Sequence, residues 1–144
     1  MAFPEPEAGL VISYAYLGSN EFRQGKIEGL KNRPCAIILV VKNTSLENKV
    51  TVAPITHIEP LNPDAAMEIP PKVKAHLGLD TERSWIILDD FNEFIWPGYD
   101  LRSVSGKPGC FDYGFLPPLF LKQIITKILD LRSKKKLITL ATKK

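Results

Sequence analysis

A chain of 144 residues that is 44% hydrophobic can bury a core of its own, and no Gly-, Ser- or Gln-rich linker divides it, so one domain over residues 1–144 is expected. The net charge of +3 belongs to the tail: Arg132, Lys134, Lys135, Lys136, Lys143 and Lys144 stand without an acid, and thirteen basic against sixteen acidic residues leave the rest of the chain negative. No apolar run approaches the roughly 18 residues of a membrane span, and the acidic, Pro-rich start Met1-Ala2-Phe3-Pro4-Glu5-Pro6-Glu7 is unlike a signal peptide, which predicts a cytoplasmic protein with no membrane partner.

In chain order, strand signals come first. Leu10 to Tyr16 alternates loosely, Pro34 to Val41 is almost wholly apolar, and Lys49 to Ile55 alternates again. Ala66 to Ile69 is a short extended piece before Pro70-Pro71. Lys72 to Gly78 then predicts a brief surface helix, with good helix formers between two prolines and a glycine stop. Trp85-Ile86-Ile87-Leu88 and Glu93-Phe94-Ile95-Trp96 are further strands, the second closed by Pro97-Gly98. After Pro117-Pro118, Leu121, Ile124, Ile125, Ile128 and Leu131 fall at offsets of three and four, opposite Lys122, Gln123, Thr126, Lys127 and Asp130: an amphipathic helix. The pattern predicts a mainly β (α+β) fold, a small barrel or curled sheet of antiparallel strands covered by a C-terminal helix. Residues 132–144 are expected as a solvated basic tail that suits the helix C-terminus, or as a non-specific grip on nucleic-acid phosphates.

Several chemistries find no motif. Cys35 and Cys110 lack C-x-x-C spacing and are too few for a disulfide framework, so reduced thiols are expected. His57 and His76 have no cysteine or carboxylate cluster at metal-ligand spacing in the sequence, which predicts no metal and no cofactor. There is no G-x-x-x-x-G-K-[ST] and no G-x-G-x-x-G, and neither Ser84 nor Ser103 sits in a nucleophile motif.

The stretch from Gly25 to His57 is the most suggestive. A basic loop ends in Asn32-Arg33-Pro34 before one apolar strand, and the next ends in Pro54-Ile55-Thr56-His57. With Gly9-Leu10-Val11-Ile12, Ala36-Ile37-Ile38-Leu39 and Val50-Thr51-Val52-Ala53-Pro54-Ile55-Thr56, and more weakly with Ser84-Trp85-Ile86-Ile87-Leu88-Asp89-Asp90, the chain resembles the PemK/MazF toxin family over roughly residues 9–96. The resemblance implies a small SH3-like barrel of the PemK/MazF/CcdB kind, a homodimer, and metal-independent endoribonuclease cleavage of single-stranded RNA. It also implies a cognate antitoxin, and DNA contact only through the toxin–antitoxin complex.

Residue by residue, Arg33 matches the family's catalytic arginine and Thr56 its threonine. A permanently charged guanidinium suits a pentacovalent phosphate, and a hydroxyl can hold the phosphate for in-line attack by the ribose 2′-hydroxyl. Asp89 aligns with the family's acidic site residue when Ser84 is the anchor, and a slip of one residue selects Asp90. His57 is a second acid or base candidate, because an imidazole can take or give a proton near neutral pH, although strand alternation predicts that it turns away from Thr56. Arg23, Lys26 and Lys31 are expected to contact RNA, offset by Glu21 and Glu28; Trp96, Tyr99, Phe111 and Tyr113 offer faces on which RNA bases can stack, with core packing or a dimer interface as the reading placed ahead of it. Asn92-Glu93 stands where many members carry an arginine, and the segment from Trp96 to Pro118 is longer than a compact member needs. A non-catalytic binding module, or the repressor component of an operon, are the readings outside the enzyme class.

Overall fold

A computed structural model describes residues 3–16, 31–43, 45–98, 100–134 and 139–142. Eight strands and two helices are present among them: β1 (Leu10–Tyr16), β2 (Lys31–Lys42), β3 (Asn48–Thr56), β4 (Ala66–Glu68), α1 (Pro71–Leu77), β5 (Trp85–Ile87), β6 (Asp90–Ile95), β7 (Asp112–Phe115), α2 (Pro118–Ser133) and β8 (Thr139–Thr142). The sheet runs β4-β5-β3-β2-β1-β7, with β6 also on β3 and β8 alongside β6. All pairings are antiparallel except β6 with β8.

Every residue of β1 is buried, because both sheet faces are covered. Val11 packs with Ala36, Ala53, Ile55 and Ile86 under Phe120, Ile124 and Leu131 of α2. Leu10, Ile12 and Tyr14 pack with Cys35, Ile37, Val50, Val52 and Phe94 on the other side. A strand wetted on neither face has no reason to alternate strictly, which accounts for its loose pattern. Gly9 enters β1 at φ +96, and a Cβ there would stand 3.0 Å from Leu121 Cδ2, so the helix lies against bare backbone.

The sheet is open. Among the described residues β4 and β7 form its ends and do not pair with each other, so the expected closed barrel is not found. These strands, three and four residues long, reach no further than β5 and β1. Two strands were not anticipated: β7 is hidden in a Gly/Asp-rich segment, and β8 lies in what was expected to be a solvated tail. Arg23 and Lys26 of the basic loop, Tyr99, and Lys135, Lys136, Lys143 and Lys144 lie outside the described residues, as does the side chain of Lys31. No described helix is long and apolar enough to cross a membrane.

Candidate functional site

Strand register brings the first two site residues together. The β2–β3 ladder ends at Cys35 and Pro54, and Arg33 and Thr56 stand two residues beyond that pair on their strands. Residues two apart on a strand project to the same side, so the two side chains come off one face of the sheet. Arg33 Nη1 lies 3.4 Å from Thr56 Oγ1. The threonine oxygen also accepts the Ile58 backbone N–H at 3.1 Å, which fixes its rotamer and leaves the hydroxyl hydrogen to donate elsewhere. Among the described residues no carboxylate pairs with Arg33, which lines an open cleft of about 440 Å³. That size lies within the range of small-molecule clefts, about 300–1,000 Å³.

The floor of the cleft is set by Lys74 of α1. Pro71 starts this helix and Gly78 ends it in the left-handed conformation at φ +70, which turns the chain into the Asp80–Ser84 loop. Lys74 is 4% exposed. Its ammonium donates to Asp80 Oδ1 at 2.5 Å, to Ser84 Oγ at 2.7 Å and to the Glu82 carbonyl. Three hydrogens meet three acceptors, so Lys74 is a fully occupied structural cation with no proton left for a substrate. Its ammonium holds the Asp80 carboxyl below the usual carboxylate range, with smaller help from the Glu82 backbone and His57.

Asp80 in turn places His57. Asp80 Oδ2 is 2.8 Å from His57 Nε2, and Glu82 Oε2 is 3.6 Å from Nδ1. Donation from Nε2 to the carboxylate leaves the imidazole lone pair on Nδ1. The alternation argument fails for His57 because β3 ends at Thr56 and the chain bends there; both residues line the same cleft. Tyr113 of β7 lines it too, and burial pushes its phenol above the usual value, so it stays protonated at neutral pH.

Other expected site residues are elsewhere. Neither Asp89 nor Asp90 lines the cleft. Asp89 lies in the turn after β5, which pairs with Ile55 and Thr56, and Asp90 opens β6, which meets β3 only from Val52 onward; the chain leaves β3 between these contacts. Burial, then the charge of Asp90, raises the Asp89 carboxyl above its ordinary range. Trp96 is partly buried and packs on Phe94, ring centroids 6.1 Å apart, against the core, which is one of the two roles expected of it. Glu93 pairs with Lys49 at 3.2 Å and Asn92 is fully buried, so this departure from the family pattern removes no charge from the cleft.

Sequence reasoning missed Lys74 and Asp80, used Ser84 only as the anchor for Asp89, and gave Tyr113 a part in packing or base stacking; the cleft brings all four together. The sequence also predicted no carboxylates around either histidine, whereas the fold sets Asp80 and Glu82 beside His57. The α1–β5 loop is remote from His57 along the chain, and only sheet closure on β3 brings the two together. The one available signal was the glycine stop followed by Asp80, Glu82 and Ser84 at alternate positions. Compared with family models, with curated proteins and with solved structures, the chain finds no match.

Proposed function

We propose that this chain is a PemK/MazF-like endoribonuclease toxin that cleaves single-stranded RNA by attack of the ribose 2′-hydroxyl on the adjacent phosphate, acting in the cytoplasm under the control of an antitoxin. The observation that carries the reading is the approach of Arg33 and Thr56 in an open cleft, with a carboxylate-held imidazole beside them. The curled antiparallel sheet with its C-terminal helix is compatible with an SH3-like ancestry in which the barrel has stayed open.

In the proposed reaction the guanidinium binds the non-bridging phosphate oxygens and stabilises the charge that grows on them. Thr56 donates its hydroxyl hydrogen to one of these oxygens and holds phosphorus in line. His57 Nδ1 takes the 2′-hydroxyl proton, while Asp80 stabilises the resulting imidazolium through Nε2. The P–O5′ bond breaks as O2′–P forms, and Tyr113 is the protonated group available to the leaving oxygen. This assigns proton transfer to His57 instead of Asp89 or Asp90.

The test is incubation of the purified full chain with a mixed RNA pool in EDTA, beside Arg33→Ala. Cleavage by the parent and a loss of at least about 100-fold in the variant, with unchanged circular dichroism, is expected from removal of one oxyanion-stabilising group. Equal cleavage by both proteins overturns the assignment, and binding of RNA without cleavage by either returns the chain to the class of binding modules.

A further inference from the structure

His57, Asp80 and Glu82 each offer one ligand atom, and these atoms all lie within 4.8 Å of one another at the mouth of the cleft. We propose that the three side chains bind a single divalent transition-metal ion, with Zn²⁺ as the probe, and that the bound ion inhibits the RNA cleavage proposed above. The inhibition rests on that reading; the binding site does not.

The donor set is one imidazole and two carboxylates, which favours borderline ions such as Zn²⁺ over Mg²⁺. Metal–ligand bonds of about 2.0–2.2 Å at tetrahedral angles place ligand atoms roughly 3.3 Å apart. His57 Nε2 and Asp80 Oδ2 need to separate only slightly from 2.8 Å to admit an ion in place of their shared proton. Glu82 has a side chain 72% exposed and so is free to swing toward them. Asp80 is already oriented for this role: Oδ1 is taken by Lys74 at 2.5 Å and by the Glu82 N–H at 3.1 Å, which leaves Oδ2 as the outward donor. The two carboxylates outweigh the charge of Lys74, so the site is net negative before the ion enters.

Inhibition follows from the two nitrogens of one ring. An imidazole that ligates through Nε2 carries its remaining proton on Nδ1. The proton displaced from Nε2 therefore ends on the nitrogen that must accept the 2′-hydroxyl proton, and the base is lost without any steric block. Glu82 touches no substrate atom in the proposed cleavage, although its carboxylate stands 3.6 Å from Nδ1, so its variant is compared with its own rate in EDTA.

Calorimetric titration of the full chain with zinc chloride, in chelator-free buffer, reads the binding half. One ion per chain is expected for the parent, no site for His57→Gln, and at least tenfold weaker affinity for Glu82→Gln. Cleavage assays read the other half: with each protein normalised to its own rate in EDTA, Glu82→Gln is expected to need at least tenfold more zinc than the parent for half-inhibition. Absence of saturable binding overturns the site, as does binding unchanged in both variants, which would place the ion on Cys110 or His76. Acceleration of cleavage by zinc overturns the inhibition. A parent that cleaves no RNA in EDTA overturns the proposed function and the inhibition together, while the site stands or falls on the isotherms.

Discussion

Lys74 and Asp89 show how burial gives a charged residue opposite consequences. Lys74 meets three acceptors under cover, so Lys74→Met takes the donor from the buried Ser84 hydroxyl and leaves the Glu82 carbonyl only the longer Ser84 bond of 3.3 Å. A loss of about 1–3 kcal/mol is expected by urea unfolding, not more, because Asp80 is half exposed and stays solvated. Asp89 has burial and a like charge but no compensating cation among the causes of its shift. Asp89→Asn is therefore expected to raise the urea midpoint at pH 7 and to leave RNA cleavage unchanged; a nuclease-dead, folded Asp89→Asn protein would return the catalytic role to that turn. The pH dependence carries opposite signs at the two carboxyls. Asp80 has a depressed folded value, so its contribution is present above the ordinary carboxylate value of about 4 and is lost as pH falls through the depressed one. Asp89 has a raised folded value, so the advantage of Asp89→Asn over the parent shrinks on acidification. Unfolding curves between pH 2.5 and 7, run on the parent, Asp80→Asn and Asp89→Asn, are expected to show both trends.

At the scale of elements, short-range chemistry was easier to read than pairing. Prolines at its start and Gly78 at its end made α1 visible, and the three-and-four spacing made α2 visible, with Pro118 opening it as the sequence indicated. Arg33 and Thr56 were legible as a pair because two consecutive strands joined by a hairpin have a register that the chain itself constrains. The Lys74–Asp80–His57 chain was not, since it depends on β5 docking against β3 after a long excursion through β4 and α1. Asp89 lies off the cleft for a related reason: the chain leaves β3 between β5 and β6, which a match anchored on Ser84 does not reveal. Two glycines carry element-level predictions. Gly78→Ala meets open space but holds φ +70, so about 1 kcal/mol is expected from backbone strain alone. Gly9→Ala adds the approach of Leu121 Cδ2 at 3.0 Å to φ +96, and a larger loss of about 2–3 kcal/mol is expected, measured by the same denaturation.

Across the whole molecule, sheet and helix serve mainly to hold one end of the β2–β3 ladder open. Packing covers both faces of the sheet along β1, whereas Arg33, Thr56 and His57 sit where β3 runs out and α1 and the loop after it stand back. Among the described residues the cleft wall combines Arg33 and Lys74 with Asp80, so its attraction for an anion is local to the guanidinium. Weak salt dependence of cleavage is therefore expected, with a slope that reflects few phosphate contacts. In the proposed reaction a guanidinium, a hydroxyl and an imidazole act on a phosphodiester through the ribose itself, and the ends left on RNA cut in EDTA report on that chemistry. A 2′,3′-cyclic phosphate on one side and a 5′-hydroxyl on the other are expected, with deoxyribose at the cleavage position abolishing the cut; 3′-hydroxyl and 5′-phosphate ends, or unimpaired cutting at deoxyribose, rule the ribose route out.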